Sequence, residues 1–158
     1  SEEQLRKVAV ALPQVLGYSF ESNILPTLAA LQERLSLDEE QLRKVVVTMP
    51  TVIGLSFESN IAPSLASLQE RLSLNDEQLR KVVVKMPSVL TYSFESNIAP
   101  SLSALQERLS LSDAQLRKVV VSLPSVLGFS FDSNIVPKLS FFQEELDLSD
   151  GPTFAIAW

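Results

Sequence analysis

LRKVVVTMPTVIGLSFESNIAPSLASLQERLSL, residues Leu42 to Leu74, recurs with few changes along a chain of 158 residues. Its landmarks return at one interval. Pro13, Pro50, Pro87 and Pro124 stand 37 residues apart, as do Pro26, Pro63, Pro100 and Pro137, and Asn23, Asn60, Asn97 and Asn134. Self-similarity at a single period of this size marks a stacked-repeat protein. The repeats run over 1–37, 38–74, 75–111 and 112–148, and a divergent tail occupies 151–158. The second and third repeats agree at 28 of 37 positions.

Each repeat predicts two helices. Ser1, Asp38, Asn75 and Ser112 hold equivalent places, each with a Gln three residues later (Gln4, Gln41, Gln78, Gln115). That is a capping box, and the leucines around it supply a hydrophobic staple. Leu42, Val45, Val46 and Met49 form the buried stripe of helix one. The helix ends near Thr48 or Met49, because Pro50 cannot continue it. Val52, Ile53 and Leu55 then suggest a buried 3₁₀ turn. For helix two, the preferred start has Ser59 or Asn60 as cap, with Pro63 in the first turn. The alternative starts at Ser56 and needs a kink at Pro63. Ile61, Leu65, Leu68 and Leu72 form its buried stripe, while Glu70 and Arg71 face outward. No single repeat buries both stripes, so stacking must supply one continuous core. The expected fold is an all-α, curved helical-repeat solenoid.

Composition removes several chemistries. The chain has no Cys and no His. Thiol nucleophiles, disulfides, Cys/His metal sites and imidazole catalysis are therefore absent. There is no Gly-rich phosphate loop, catalytic triad or metal-ligand spacing. No enzyme activity, cofactor, metal or small-molecule substrate is expected. No apolar run approaches the roughly 20 residues that span a bilayer, so no membrane insertion is expected. Ser1 opens a repeat, so an upstream segment is expected, and the lack of a visible targeting peptide carries little weight. The net charge of −6 argues against a free-standing nucleic-acid binder, although a local basic stripe would suffice.

Leu42, Val45, Val46, Pro50, Val52, Ser56, Glu58, Asn60, Ile61, Pro63, Leu65, Leu68 and Leu72 form a pattern repeated at 37-residue intervals. It resembles the repeat of the mitochondrial transcription termination factor (mTERF) family, over nearly the whole chain to about Ser149. Pro137-Lys138-Leu139-Ser140-Phe141 is similar to that family's Pro-Lys-Leu-x-Phe. The resemblance implies two α-helices and one 3₁₀ helix per repeat, stacked in a superhelix. It also implies a mitochondrion or plastid, a role in gene expression there such as transcription regulation, and binding of double-stranded DNA or RNA or of protein partners. The acidity of this chain departs from the family, as do Thr27, Ser64 and Ser101, where the family often has Lys.

The recurrent cations are Arg6-Lys7, Arg43-Lys44, Arg80-Lys81 and Arg117-Lys118. Stacked about 10 Å apart, they would form cationic ladders for phosphates, with Lys138 as an addition. The plainer alternative is a solvated face partly paired with acids such as Glu39 and Glu40. The Ser/Asn, Glu/Asp and Phe ladders suit capping, solvation and core better than ligands. In the tail, Phe154, Ile156 and Trp158 alternate. They suggest a cover over the last repeat or, more sharply, an anchor for a protein partner. Two functions follow: nucleic-acid binding through the Arg-Lys pairs, or a non-catalytic scaffold that binds protein.

Overall fold

The structure, a computed structural model, describes residues 1–146. The chain is all-α, and the described residues contain no strand. Its α-helices are α1 (Glu2–Ala11), α2 (Leu25–Leu35), α3 (Glu39–Thr48), α4 (Ala62–Leu72), α5 (Asp76–Lys85), α6 (Ala99–Arg108), α7 (Asp113–Ser122) and α8 (Val136–Glu145). None is long and apolar enough to cross a membrane.

Helix one starts where the capping box places it. The Gln41 N–H donates to Asp38 Oδ1 at 2.8 Å, and the Asp38 N–H donates to Gln41 Oε1 at 3.2 Å. The reciprocal pair recurs at Ser1, Asn75 and Ser112. It satisfies donors that a helix start otherwise leaves open. Pro50 opens the 3₁₀ turn Pro50–Gly54, which buries Val52 and Ile53.

Helix two begins differently from the preferred expectation. Neither Ser59 nor Asn60 is the cap. Ser56 Oγ accepts from the Ser59 N–H at 3.2 Å, and one π-helical turn, Phe57–Ile61, leads into α4. The Ile61 N–H reaches Ser56 O at 3.4 Å, five residues back. In a regular helix Pro63 would lack the N–H for the Ser59 carbonyl, and its ring would press against it. The wider turn opens the backbone just ahead of the proline. The same turn recurs at Phe20–Ile24, Phe94–Ile98 and Phe131–Ile135.

Helix two closes on a residue the sequence did not mark. Ser36, Ser73 and Ser110 are left-handed, with φ of 49°, 48° and 49°. The Leu74 N–H donates to Gln69 O at 2.9 Å and the Ser73 N–H to Glu70 O at 3.1 Å. This Schellman closure usually carries glycine.

Residues Ser1–Gly128 form one compact unit. Within it the first helices stack in order, α1 on α3, α3 on α5, α5 on α7. Second helices reach two repeats ahead, α2 to α5 and α4 to α7. Ile61, Leu65, Leu68 and Leu72 are all at most 2% exposed. A second unit starts at Phe129. Its described part holds the last π turn and α8, whose Phe141 and Phe142 rings meet edge to face at 5.9 Å.

Candidate nucleic-acid interface

The Arg-Lys pairs lie on α1, α3, α5 and α7, in the same register on helices that pack side by side. Their two residues part company in the structure. The lysines are exposed, and Lys7, Lys44 and Lys81 make no hydrogen bond or ion pair among the described residues. The anticipated pairing with acids of the same helix is thus absent for these three. Lys118 continues the row, is also exposed, and takes part in an interaction of its own.

The arginines do not make a uniform ladder. Arg6 and Arg43 are exposed, whereas Arg80 and Arg117 are half-buried. Arg80 Nη1 donates to Ser36 O at 3.2 Å, and Arg117 Nε donates to Leu72 O at 2.7 Å. Ser36 caps α2 and Leu72 ends α4, each two repeats earlier. A helix C-terminus leaves carbonyls without partners and carries the negative end of the dipole, so a guanidinium satisfies both demands. Arg6 and Arg43, by contrast, are exposed and make no hydrogen bond or ion pair among the described residues. The expected phosphate role therefore meets a competing structural one at Arg80 and Arg117.

Two further cations are tied down. Lys85 Nζ donates to Ser122 O at 3.2 Å, at the end of α7. Lys138 is exposed but held within the second unit. Its Nζ donates to Asn134 Oδ1 at 2.6 Å and lies 5.4 Å from the Phe129 ring centroid. Phe154, Ile156 and Trp158 lie outside the described residues.

Arg71 does not simply face outward as expected. Its side chain is 31% exposed, Nη2 donates to Gln106 Oε1 at 2.6 Å, and Nη1 lies 3.8 Å from Asp113 Oδ1. Arg34 repeats this with Gln69 and, at 3.5 Å, with Asp76. The clue in the sequence was small. The acid at this place is Glu2 and Glu39 in the first two repeats but Asp76 and Asp113 in the next two. Only the last two meet an arginine from two repeats earlier.

The Phe ladder divides as well: Phe20 is 63% exposed, while Phe57, Phe94 and Phe131 are half-buried. No group of three or more acidic residues among the described ones is arranged to hold a metal ion. Among the described residues, the recurrent cations with no hydrogen bond or ion pair on these helices are Lys7, Lys44 and Lys81, with Arg6 and Arg43 beside the first two. A family model described as mTERF matches residues 1–150. No curated protein matches the chain.

Proposed function

The chain belongs to the mTERF family, and on that premise we propose that it binds nucleic acid through the lysine row of its first helices, in mitochondrial or plastid gene expression. Family membership suggests a nucleic-acid-binding helical-repeat protein. The observation that carries the residue assignment is the exposure of Lys7, Lys44 and Lys81 without internal partners, in register on adjacent helices. Helices pack about 8–10 Å apart, which matches about three nucleotide steps at 3.4 Å each. Lysine is a flexible point charge, so such a row suits backbone phosphates and not base edges. Arg6 and Arg43, exposed and without partners among the described residues, add two charges beside the first two lysines.

The test is fluorescence anisotropy with a duplex and with a single-stranded RNA, each at 50 and 200 mM salt as chosen concentrations. Four phosphate contacts to a duplex lower affinity about a hundredfold across that range. Replacing Lys7, Lys44 and Lys81 by Gln should flatten the salt dependence and leave the helical CD signal unchanged. No binding to either probe at the lower salt would overturn the proposal.

A further inference from the structure

The serine, asparagine, phenylalanine and carboxylate ladders are not used by the lysine row. They meet in a groove that recurs between repeats. One groove, of about 470 Å³, lies between repeats one and two, and a second, of about 490 Å³, between repeats two and three. Their linings correspond position by position at the 37-residue interval: Asn23 with Asn60, Ser22 with Ser59, Phe57 with Phe94, Glu58 with Glu95. The wide turn before helix two and the strand-like residues after each 3₁₀ turn build the walls, so the groove follows from the repeat itself.

The chemistry of each groove is of one kind. Asn23 and Asn60 are exposed; Asn23 offers its whole amide, and Asn60, whose Oδ1 accepts from the Ser56 N–H at 3.2 Å, offers its NH2. Glu58 and Glu95 are exposed and make no hydrogen bond or ion pair among the described residues. Half-buried Phe57 and Phe94 stand next to them in sequence. Neither groove is lined by Lys or Arg. An amide side chain matches a peptide unit, donor to acceptor and acceptor to donor. A carboxylate beside an aromatic ring takes a cationic side chain, by charge and by the ring face. A phosphate would instead meet a carboxylate with no compensating cation.

We propose that the successive grooves bind an extended basic segment of a protein partner, one Lys or Arg to each groove. The spacing selects the register. A polyproline-II strand advances about 3.1 Å per residue and turns once every three residues. Every third side chain thus returns to the same side after about 9 Å, within the roughly 8–10 Å between packed helices. The favoured motif is Lys-x-x-Lys, with the intervening backbone on the asparagines. This surface is opposite in charge to the lysine row, so the two predict separate ligands.

The test uses the whole chain and labelled synthetic peptides at low salt. One peptide carries Lys at every third position. A second has the same composition with its lysines contiguous, and a third has Glu in place of Lys. The spaced-lysine peptide should bind best and the Glu peptide not at all. Glu58→Gln with Glu95→Gln should weaken it about tenfold, as expected for two partly exposed ion pairs. Both carboxylates are exposed, so CD should show the fold intact; Asn23→Ala, at a side chain that makes no hydrogen bond among the described residues, gives an independent loss. Equal binding of the spaced and contiguous peptides, or indifference to the Gln substitutions, overturns the proposal. So does displacement of the peptide by RNA that binds more tightly to the Gln variant, which would make the grooves a nucleic-acid surface. Loss of nucleic-acid binding in the lysine variants leaves this outcome untouched.

Discussion

Gly54 illustrates how a single position is set by the preceding repeat. A Cβ there would lie 2.8 Å from Tyr18 Oη, and one on Gly128 would lie 2.9 Å from Met86 Cε and 3.0 Å from Tyr92 Oη. Where repeat two has Leu55 in place of tyrosine, the facing position is Thr91 and not glycine. Gly17 faces nothing within 4 Å. The glycine is therefore a matter of room for the tyrosine in the preceding repeat. Gly54→Ala should destabilise by about 1 kcal/mol through forced displacement of Tyr18. Gly17→Ala should instead stabilise by about 0.5 kcal/mol, by restricting the unfolded chain. Urea midpoints of the two variants check the opposite signs. Ser36, Ser73 and Ser110 show the reverse case, a left-handed residue without glycine. The Gln69 amide, donating to Leu74 O at 3.1 Å, helps hold that closure.

Helix one was legible in detail because its signals are local. Cap, box and proline stop all act within a turn of the residues that carry them. Helix two was legible in its buried stripe but not at its start. Sequence spacing offers a regular helix with a cap near Pro63 or a kinked one from Ser56. It does not display a π turn, whose bonds skip one residue further. The structure assigns the capping to Ser56, whose hydroxyl accepts from the Ser59 N–H. Ser56→Ala should cost about 1 kcal/mol. Ser59→Ala, one turn later and exposed, should change stability by less than about 0.5 kcal/mol. Thermal unfolding followed by CD separates the two, and an equal loss at Ser59 would contradict the assignment.

At the scale of the whole molecule, the Ser1–Gly128 unit is coupled beyond nearest neighbours. Leu79 and Leu90 in the third repeat are 0% and 2% exposed, while their counterparts Leu5 and Leu16 in the first are 70% and 82% exposed. Burial of the repeat therefore depends on the repeat before it. The polar contacts reach further. Arg80 and Arg117 close helices two repeats back, and Arg34 and Arg71 meet acids two repeats ahead. Arg117→Ala should lose about 1.5 kcal/mol or more, as a charged hydrogen bond at a half-buried site. Arg43→Ala, at the same repeat position but in solvent, should stay within about 0.5 kcal/mol of the parent. Hydrogen exchange read by mass spectrometry should show the Arg117→Ala effect at the end of α4, distant in sequence from the substitution.

The sequence alone determined the period, the helix-one boundaries, the two buried stripes and the all-α repeat class. These rest on contacts within a few residues and on a period that any copy displays. Family kinship was legible for the same reason, since the motif is written in every repeat. Tertiary structure decided which charges are available. The same Arg-Lys pair stands in all four repeats, yet Arg117 is committed to a carbonyl 45 residues away while Lys81 stays in solvent. Repetition makes equivalent residues look alike, but the partners of Arg34, Arg71, Arg80 and Arg117 stand two repeats away. Which carbonyl or carboxylate lies within reach is decided by the stacking, not by the residue's own repeat.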